Sequence, residues 1–326
     1  MTNSDNSRMM RELTRCQSAV DERLSGYFAS LFSSGEAKNE ALFRPGAIPA
    51  TSAPDYAPDG VSYLGLLDSM RYSLLAGGKR IRAVLCLKFC EVVGGSLEDA
   101  LAAACAIEML HTYSLIHDDL PCMDNDDMRR GKPSNHVKYG EFTAMLAGDA
   151  LQALAFETLL NSDLPPKTVV CMTQILSQAA GPYGICGGQY LDLRGEGKPL
   201  AIDELLEIHE MKTAALITAS ALMGVLAGNG SVEQIDAASQ YAQAIGIAFQ
   251  VRDDVLDCTA TEKELGKPIG SDRVNNKTTF ATLLGIESCE EMIDRETQRA
   301  ISALEGKFED AGFLIWFAGL LAERKY

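Results

Sequence analysis

Two clusters of aspartate stand in apolar surroundings and are the first candidates for chemistry. One is Asp118-Asp119-Leu120-Pro121-Cys122-Met123-Asp124, at the end of a very apolar run, and the other is Asp253-Asp254-Val255-Leu256-Asp257, inside a second one. Asp253 and Asp257 are four apart and so share a helix face. Pro121 has no N–H to donate, so the backbone is expected to leave the straight helical path there and bring Asp124 back towards Asp118. Carboxylates projecting from apolar helices are costly unless paired or bound to a metal. Hard oxygen donors of this kind suit Mg²⁺, which typically takes one or two carboxylates plus the phosphates of a substrate. The plain alternative for either cluster is a solvated acidic helix end. An EF-hand loop starting at Asp124 fails, because Met128 and Arg129 stand at the fifth ligand and the turn-glycine positions.

Cations adjoin these acids. Gly77-Gly78-Lys79-Arg80-Ile81-Arg82 is read as a helix opening, where free N–H groups and the helix dipole favour an anion. Arg129-Arg130-Gly131-Lys132 follows the first acidic cluster directly, and Lys212-Thr213, Phe249-Gln250 and Gly266-Lys267 with Lys277 lie in apolar contexts. His111 and His117 precede Asp118 on one run, and each is by default a core histidine. Cations beside paired carboxylates suggest one site for a polyanion bridged by metal, and a diphosphate fits.

The elements that must position these groups are helical. Apolar residues recur at helical spacing, and strand-like alternation is nearly absent. Helices are expected over 62–76, 79–93, 97–120, 141–161, 166–181, 203–228, 232–258, 275–284, 288–307 and 311–323, with Ser96 as an N-cap and 33–60 as an irregular, proline-bearing connection. The reading is one all-α domain over 1–326, a bundle of ten or more helices. Lys+Arg 29 against Asp+Glu 45 gives a net charge of −16, which disfavours nucleic acid and anionic membrane surfaces. The nine cysteines form no C-x-x-C pair and read as free thiols of a reducing cytoplasm. The N-terminal stretch has no apolar core for a secretion signal, and the uncharged run Thr213–Gly230 reads as a buried helix rather than a membrane span. A cytoplasmic protein is expected.

The segments GGKRIR (77–82), SLIHDDLPCMDNDDMRRGKPSNH (114–136), LAGDAL (146–151), GGQYLDL (187–193), Lys212-Thr213, FQVRDDVLD (249–257) and GKPIGSD (266–272) closely resemble trans-type prenyl diphosphate synthases. The nearest likeness is to bacterial short-chain farnesyl and geranylgeranyl diphosphate synthases, over core motifs in 62–285. The resemblance implies an all-α fold around a deep central cavity, a homodimer, and three Mg²⁺ ions per active site. It also implies that Asp118, Asp119 and Asp124 bind metal from one wall and Asp253, Asp254 and Asp257 from the other. Lys79, Arg82, His111 and Arg130 would hold isopentenyl diphosphate. Arg129, Lys212, Thr213, Gln250, Lys267 and Lys277 would hold the allylic diphosphate, and the catalytic set is Asp118, Asp119, Asp124, Asp253 and Lys212. Three positions depart from the family pattern: Ala83 for a proline, Ala214 for a glycine and Phe280 for a tyrosine.

Product length is expected to rest on Tyr113, five residues before Asp118, with Ser114 beside it too small to block a growing chain. In the family an aromatic residue just before the first Asp-rich motif goes with shorter products. Farnesyl diphosphate is therefore expected, with geranylgeranyl diphosphate the alternative. Two other readings keep the same fold: a non-catalytic subunit, which would be expected to lose parts of the motifs, and a terpene cyclase, which needs no site for isopentenyl diphosphate.

Overall fold

The computed structural model describes residues 3–34, 63–259 and 277–324. Ser96 and Asp99 cap each other's backbone amides, and this reciprocal cap starts a 22-residue helix, α4 (Leu97–Asp118). Its apolar residues run almost all round, so it must be covered on several sides. It is packed by α3 (Ile81–Val92), α6 (Glu141–Leu160) and α10 (Ala215–Ala227), with α1 (Asn3–Ser34) lying across α3 and α4. Between α4 and α6 come a hairpin of two short strands, β1 (Met128–Arg129) and β2 (Lys132–Pro133), and α5 (Asn135–Tyr139). α2 (Leu64–Leu74) packs on α6, and α7 (Pro166–Ala180) packs on α10.

The second acidic cluster lies near the end of α11 (Val232–Thr259), which packs on α10 and α13 (Ile286–Leu304). The short α12 (Phe280–Leu284) and α14 (Gly312–Ala322) close around it. Val251, Val255, Phe280 and Ile293 form a small apolar cluster beneath the acids, separate from the main core. The expected all-α architecture is what the chain adopts. All nine cysteines are free thiols. Among the described residues, Ile202–Ala227 is long and apolar enough to cross a membrane, and 56% of its most apolar window is buried inside the bundle.

Three local features differ from expectation. The helix α8 (Ile185–Gly195) is not among the expected helices, which left 182–202 without one. The run expected as one helix over 203–228 is α9 (Ile202–His209), a π-helical turn (Glu210–Ala214) and α10. The third is the start of α3, at Ile81 rather than Lys79, because Arg80 takes a left-handed conformation (φ 51°) as its N-cap. Of the irregular connection expected over 33–60, the first two residues belong to α1 and the rest lies outside the described residues, as does the whole of 260–276, including Lys267.

The first two features share a cause. A Cβ on Gly188 would lie 2.3 Å from the Lys212 amide nitrogen and 2.6 Å from its Cα, so α8 rests directly on the π turn. A Cβ on Gly246 of α11 would lie 2.5 Å from that of Ala214, so Gly246 makes the space that Ala214 fills. Single-turn π segments often mark functional positions, and this one carries Lys212 and Thr213. Gly188→Ala should force α8 off the turn at a cost of roughly 1–3 kcal/mol. Calorimetry should show a melting temperature several degrees lower, whereas an unchanged value would mean that the backbones are not in contact.

Candidate active site

Asp118 ends α4, as expected for a residue followed closely by Pro121. The chain then doubles back. The Asp124 amide donates to the Asp118 carbonyl at 2.9 Å, while Leu120 O accepts from Met123 N and Asn125 N at 2.8 and 3.2 Å. Asn125 takes a left-handed conformation (φ 54°) at this return. Asp118 and Asp124 therefore sit on one wall despite their sequence separation. The following hairpin turns through Arg130 (φ 53°) and Gly131 (φ 72°), two positive values that suit a tight two-residue turn. It sends Arg129 to the carboxylates of Asp119 and Asp126, and Arg130 to the carbonyl of Gly77.

Opposite lies α11. Asp253, Asp254 and Asp257 face Asp118, Asp124 and Asp126 across a cavity of about 280 Å³. Lys212 and Lys277 enter it from the side and share Asp192 Oδ2, at 2.6 and 3.3 Å. Lys277 also reaches Glu196 at 3.3 Å and Asp124 at 3.8 Å. Burial disfavours the Lys277 charge, but Asp192 and Asp124 more than offset it and hold the ammonium form. Asp192 is likewise kept below the usual carboxylate range, because Lys212 and Lys277 outweigh its burial.

A polar relay fixes the second wall. Thr213 Oγ1 donates to Gln250 Oε1 at 3.2 Å, Gln250 Nε2 to Asp254 Oδ1 at 3.1 Å, and the Phe280 amide to Asp254 Oδ2 at 2.8 Å. Asp254 is thus tethered on both oxygens, whereas Asp257 keeps an oxygen without a hydrogen-bond partner. Asp253 pairs with Arg324, whose guanidinium also lies over the Phe249 ring.

The basic residues Arg82, His111 and Arg130 form a buried cluster of their own. Arg82 Nη1 donates to His111 Nε2 at 3.2 Å. Burial and the neighbouring Arg82 and Arg130 push the imidazole well below its ordinary pKa, so it is neutral and accepts this bond. The Asp253 field acts on both Lys79 and Arg82. Gly78 has φ 133°, and a Cβ there would meet the Arg130 guanidinium at 3.0 Å, so only glycine lets Arg130 approach. Arg80 is buried and structural: it donates to Asp21, Glu108 and the Leu74 carbonyl at 2.9, 3.1 and 2.7 Å. Ala83 keeps an N–H that a proline would lack, and it points to Glu108 at 3.4 Å.

Several expected residues do not line the cavity. Asp119 is buried against Arg129 on the far side of the turn, because that is where the hairpin delivers the guanidinium. Thr213 acts through Gln250. The Tyr113 hydroxyl shares a hydrogen bond with Cys186 Sγ at 3.3 Å and its ring meets His117 edge-on at 5.5 Å, so the side chain is directed at its neighbours; Ser114 Oγ donates to the His111 carbonyl. Asp126, Asp192, His209 and Arg324 are site residues that sequence reasoning missed. Asp126 and Asp192 carried a signal, in their positions within SLIHDDLPCMDNDDMRRGKPSNH and GGQYLDL.

The cavity suits a divalent cation carried with an anion. Asp124 Oδ1 and Asp257 Oδ1, one on each wall, are buried without a hydrogen-bond partner. Among the described residues no three acidic, histidine or cysteine side chains converge closely enough to hold a metal by themselves. Carboxylates from both walls plus the oxygens of a bound phosphate would complete a Mg²⁺ shell.

With this geometry in place the comparisons are decisive. The polyprenyl synthetase family profile matches residues 65–311. The chain belongs to the polyprenyl synthetase family. It is 50% identical over 242 residues to a chloroplastic geranylgeranyl pyrophosphate synthase of Capsicum annuum, a match covering 73% of this chain and 66% of that one. It is 48% identical over 250 residues to the large subunit 1 of a heterodimeric geranylgeranyl pyrophosphate synthase of Arabidopsis thaliana, covering 74% and 67%. Among solved structures it resembles a geranyltransferase from Legionella pneumophila, with TM-score 0.80 and 34% identity over 99% of both chains. A putative farnesyl-diphosphate synthase from Marinomonas sp. MED121 gives TM-score 0.75 and 34% identity over 97% of this chain and 99% of that one. Like those folds, this synthetase-family chain is a helical bundle around its acidic cavity.

Burial pushes the Asp118 carboxyl up to about 6, with Asp124 and Asp119 adding to the rise and Lys212 and Arg129 opposing it. The folded chain therefore holds this proton more tightly than the unfolded chain does. Stability from this group falls as pH climbs from about 4 to 6 and stays low above that. In chelated buffer Asp118→Asn should raise the melting temperature at pH 7.5 by a few degrees, on the order of 1 kcal/mol. The gain should disappear near pH 4; a variant less stable at both pH values would contradict this origin.

Proposed function

We propose that the protein is a Mg²⁺-dependent prenyltransferase that joins an allylic diphosphate head to tail with isopentenyl diphosphate, and that its main product is geranylgeranyl diphosphate. The observation that carries the proposal is the pairing of two aspartate walls with two groups of cations, Lys212, Lys277 and Arg129 lining the cavity and a basic cluster about Arg82, His111 and Arg130. Lys212, Lys277 and Arg129 would grip the allylic diphosphate, and Arg82, Lys79, Arg130 and neutral His111 the isopentenyl diphosphate. A terpene cyclase has no use for the second basic cluster. A non-catalytic subunit has no use for aspartates kept on both walls.

Bound between Asp118, Asp124, Asp253 and Asp257, Mg²⁺ would neutralise the leaving diphosphate as the allylic C–O bond breaks. Lys212 and Lys277 stabilise the same developing charge and are preset by Asp192, so little reorganisation is needed. The isopentenyl double bond attacks the allylic carbon, a new C–C bond forms, and a proton passes to the released diphosphate. Leu115 and Leu205 give the cavity apolar surface beside the reacting carbons.

Two observations support the C20 product over the C15 expected from Tyr113. The chain is similar to proteins named geranylgeranyl pyrophosphate synthases at 48–50% identity, as reported above. In addition, Tyr113 is engaged with Cys186 and His117. Farnesyl diphosphate remains the second reading because of the bulk at Tyr113 and the likeness to a protein called a farnesyl-diphosphate synthase. A homodimer is part of the proposal, supported by the exposed Phe142, Met145 and Leu146 on α6 and Tyr183 and Tyr190 at α8. Light scattering should then give roughly twice 35.1 kDa.

Chromatography of products from dimethylallyl, geranyl and farnesyl diphosphates with isopentenyl diphosphate should show C20 from all three. Tyr113→Ala should leave C20 dominant. Wild-type product stopping at C15, with Tyr113→Ala running longer, would overturn the C20 assignment and restore the farnesyl reading.

A further inference from the structure

His209 lines the cavity one helical turn before Lys212, yet none of the motifs that identify the site includes it. Its ring stacks on Phe280, with centroids 5.2 Å apart and planes tilted by 32°. Nδ1 and Nε2 are both shut off from solvent, and neither has a hydrogen-bond partner. Buried polar groups are normally satisfied, so two orphaned nitrogens facing a cavity point to a partner that arrives with a ligand.

The surroundings indicate what that partner is. Burial drives the imidazole pKa down to about 4; Asp192 works against this and Lys212 with it. The ring is therefore neutral at physiological pH, with one N–H to donate and one lone pair. A neutral donor among Lys212, Lys277 and Asp192 suits an anionic oxygen held by the two lysines. It is a poor complement to Mg²⁺, which prefers oxygen ligands.

We propose that His209 is a further substrate-binding residue, donating a hydrogen bond to a phosphate oxygen of the allylic diphosphate held by Lys212 and Lys277. This rests on the prenyltransferase reading above. The rival role is packing alone, through the stack on Phe280.

Two variants separate the roles. His209→Phe keeps a flat ring against Phe280 and removes the donor, whereas His209→Gln keeps a donor and loses the ring. Steady-state kinetics would vary each substrate in turn, and calorimetry would follow binding of inorganic diphosphate with Mg²⁺. His209→Phe should raise the allylic KM and weaken diphosphate binding roughly tenfold, the loss of one hydrogen bond to a charged group. The KM for isopentenyl diphosphate and the melting temperature should stay near wild type, and His209→Gln should recover most of the affinity. Wild-type allylic KM and diphosphate affinity in His209→Phe would overturn the assignment, as would equal losses in both variants accompanied by a lower melting temperature. A wild-type protein that makes no prenyl product would instead overturn the prenyltransferase reading itself.

Discussion

Like charges facing each other across a half-buried cavity repel, and the rest of this structure is arranged to answer that repulsion. The lining carries seven aspartates against Arg129, Lys212 and Lys277. The cations are shared among the carboxylates: Arg129 meets Asp119 and Asp126, Lys212 meets Asp192, and Lys277 meets Asp192, Glu196 and Asp124. Asp253 is met by Arg324 from the C-terminal segment. What is left over is a buried oxygen without a hydrogen bond on each of Asp124 and Asp257, and the raised Asp118 carboxyl. A divalent cation would relieve this excess, and a bound diphosphate would supply its remaining oxygens.

Such a site needs a stiff frame, since carboxylates free to move would simply turn away from one another. The frame is the apolar core: α4, α10 and α3 pack as a buried group, and α11 joins α10 below the second acidic cluster. Close backbone contacts at Gly188 and Gly246 lock the π turn that carries Lys212 and Thr213. The Arg80–Glu108 pair inside α3 and α4 holds the left-handed N-cap between Lys79 and Arg82. Removing one partner of a buried pair leaves an uncompensated charge, so this pair anchors geometry more than it adds net stability.

Much of this was legible in the sequence. The helical periodicity, the Ser96 cap and the breaks at Gly77-Gly78 and Pro121 follow from local chemistry, and so does the return of Asp124 to Asp118. Features that depend on tertiary contact were not legible. Helix propensity argues against α8, and only its backbone packing on Lys212 explains it. Asp119 and Asp118 are adjacent and chemically equal, but the hairpin brings Arg129 to hydrogen-bond Asp119 and not Asp118. Tyr113 has the size to limit a cavity, but its direction is set by Cys186 and His117 on other turns and helices. His209 looks like any helix histidine until α12 and the cavity are placed beside it.

The central claim is that the two acidic walls form a metal site only when a diphosphate completes it. Calorimetric titration of Mg²⁺ into the protein, with and without a non-hydrolysable allylic thiodiphosphate, tests this most directly. Coupled binding is reciprocal, so each ligand must strengthen the other by the same factor. The account predicts weak Mg²⁺ binding alone and affinity at least tenfold higher with the analogue, with the analogue's own binding falling equally in chelator. Tight stoichiometric Mg²⁺ binding to the free protein, or analogue binding indifferent to chelator, would contradict it.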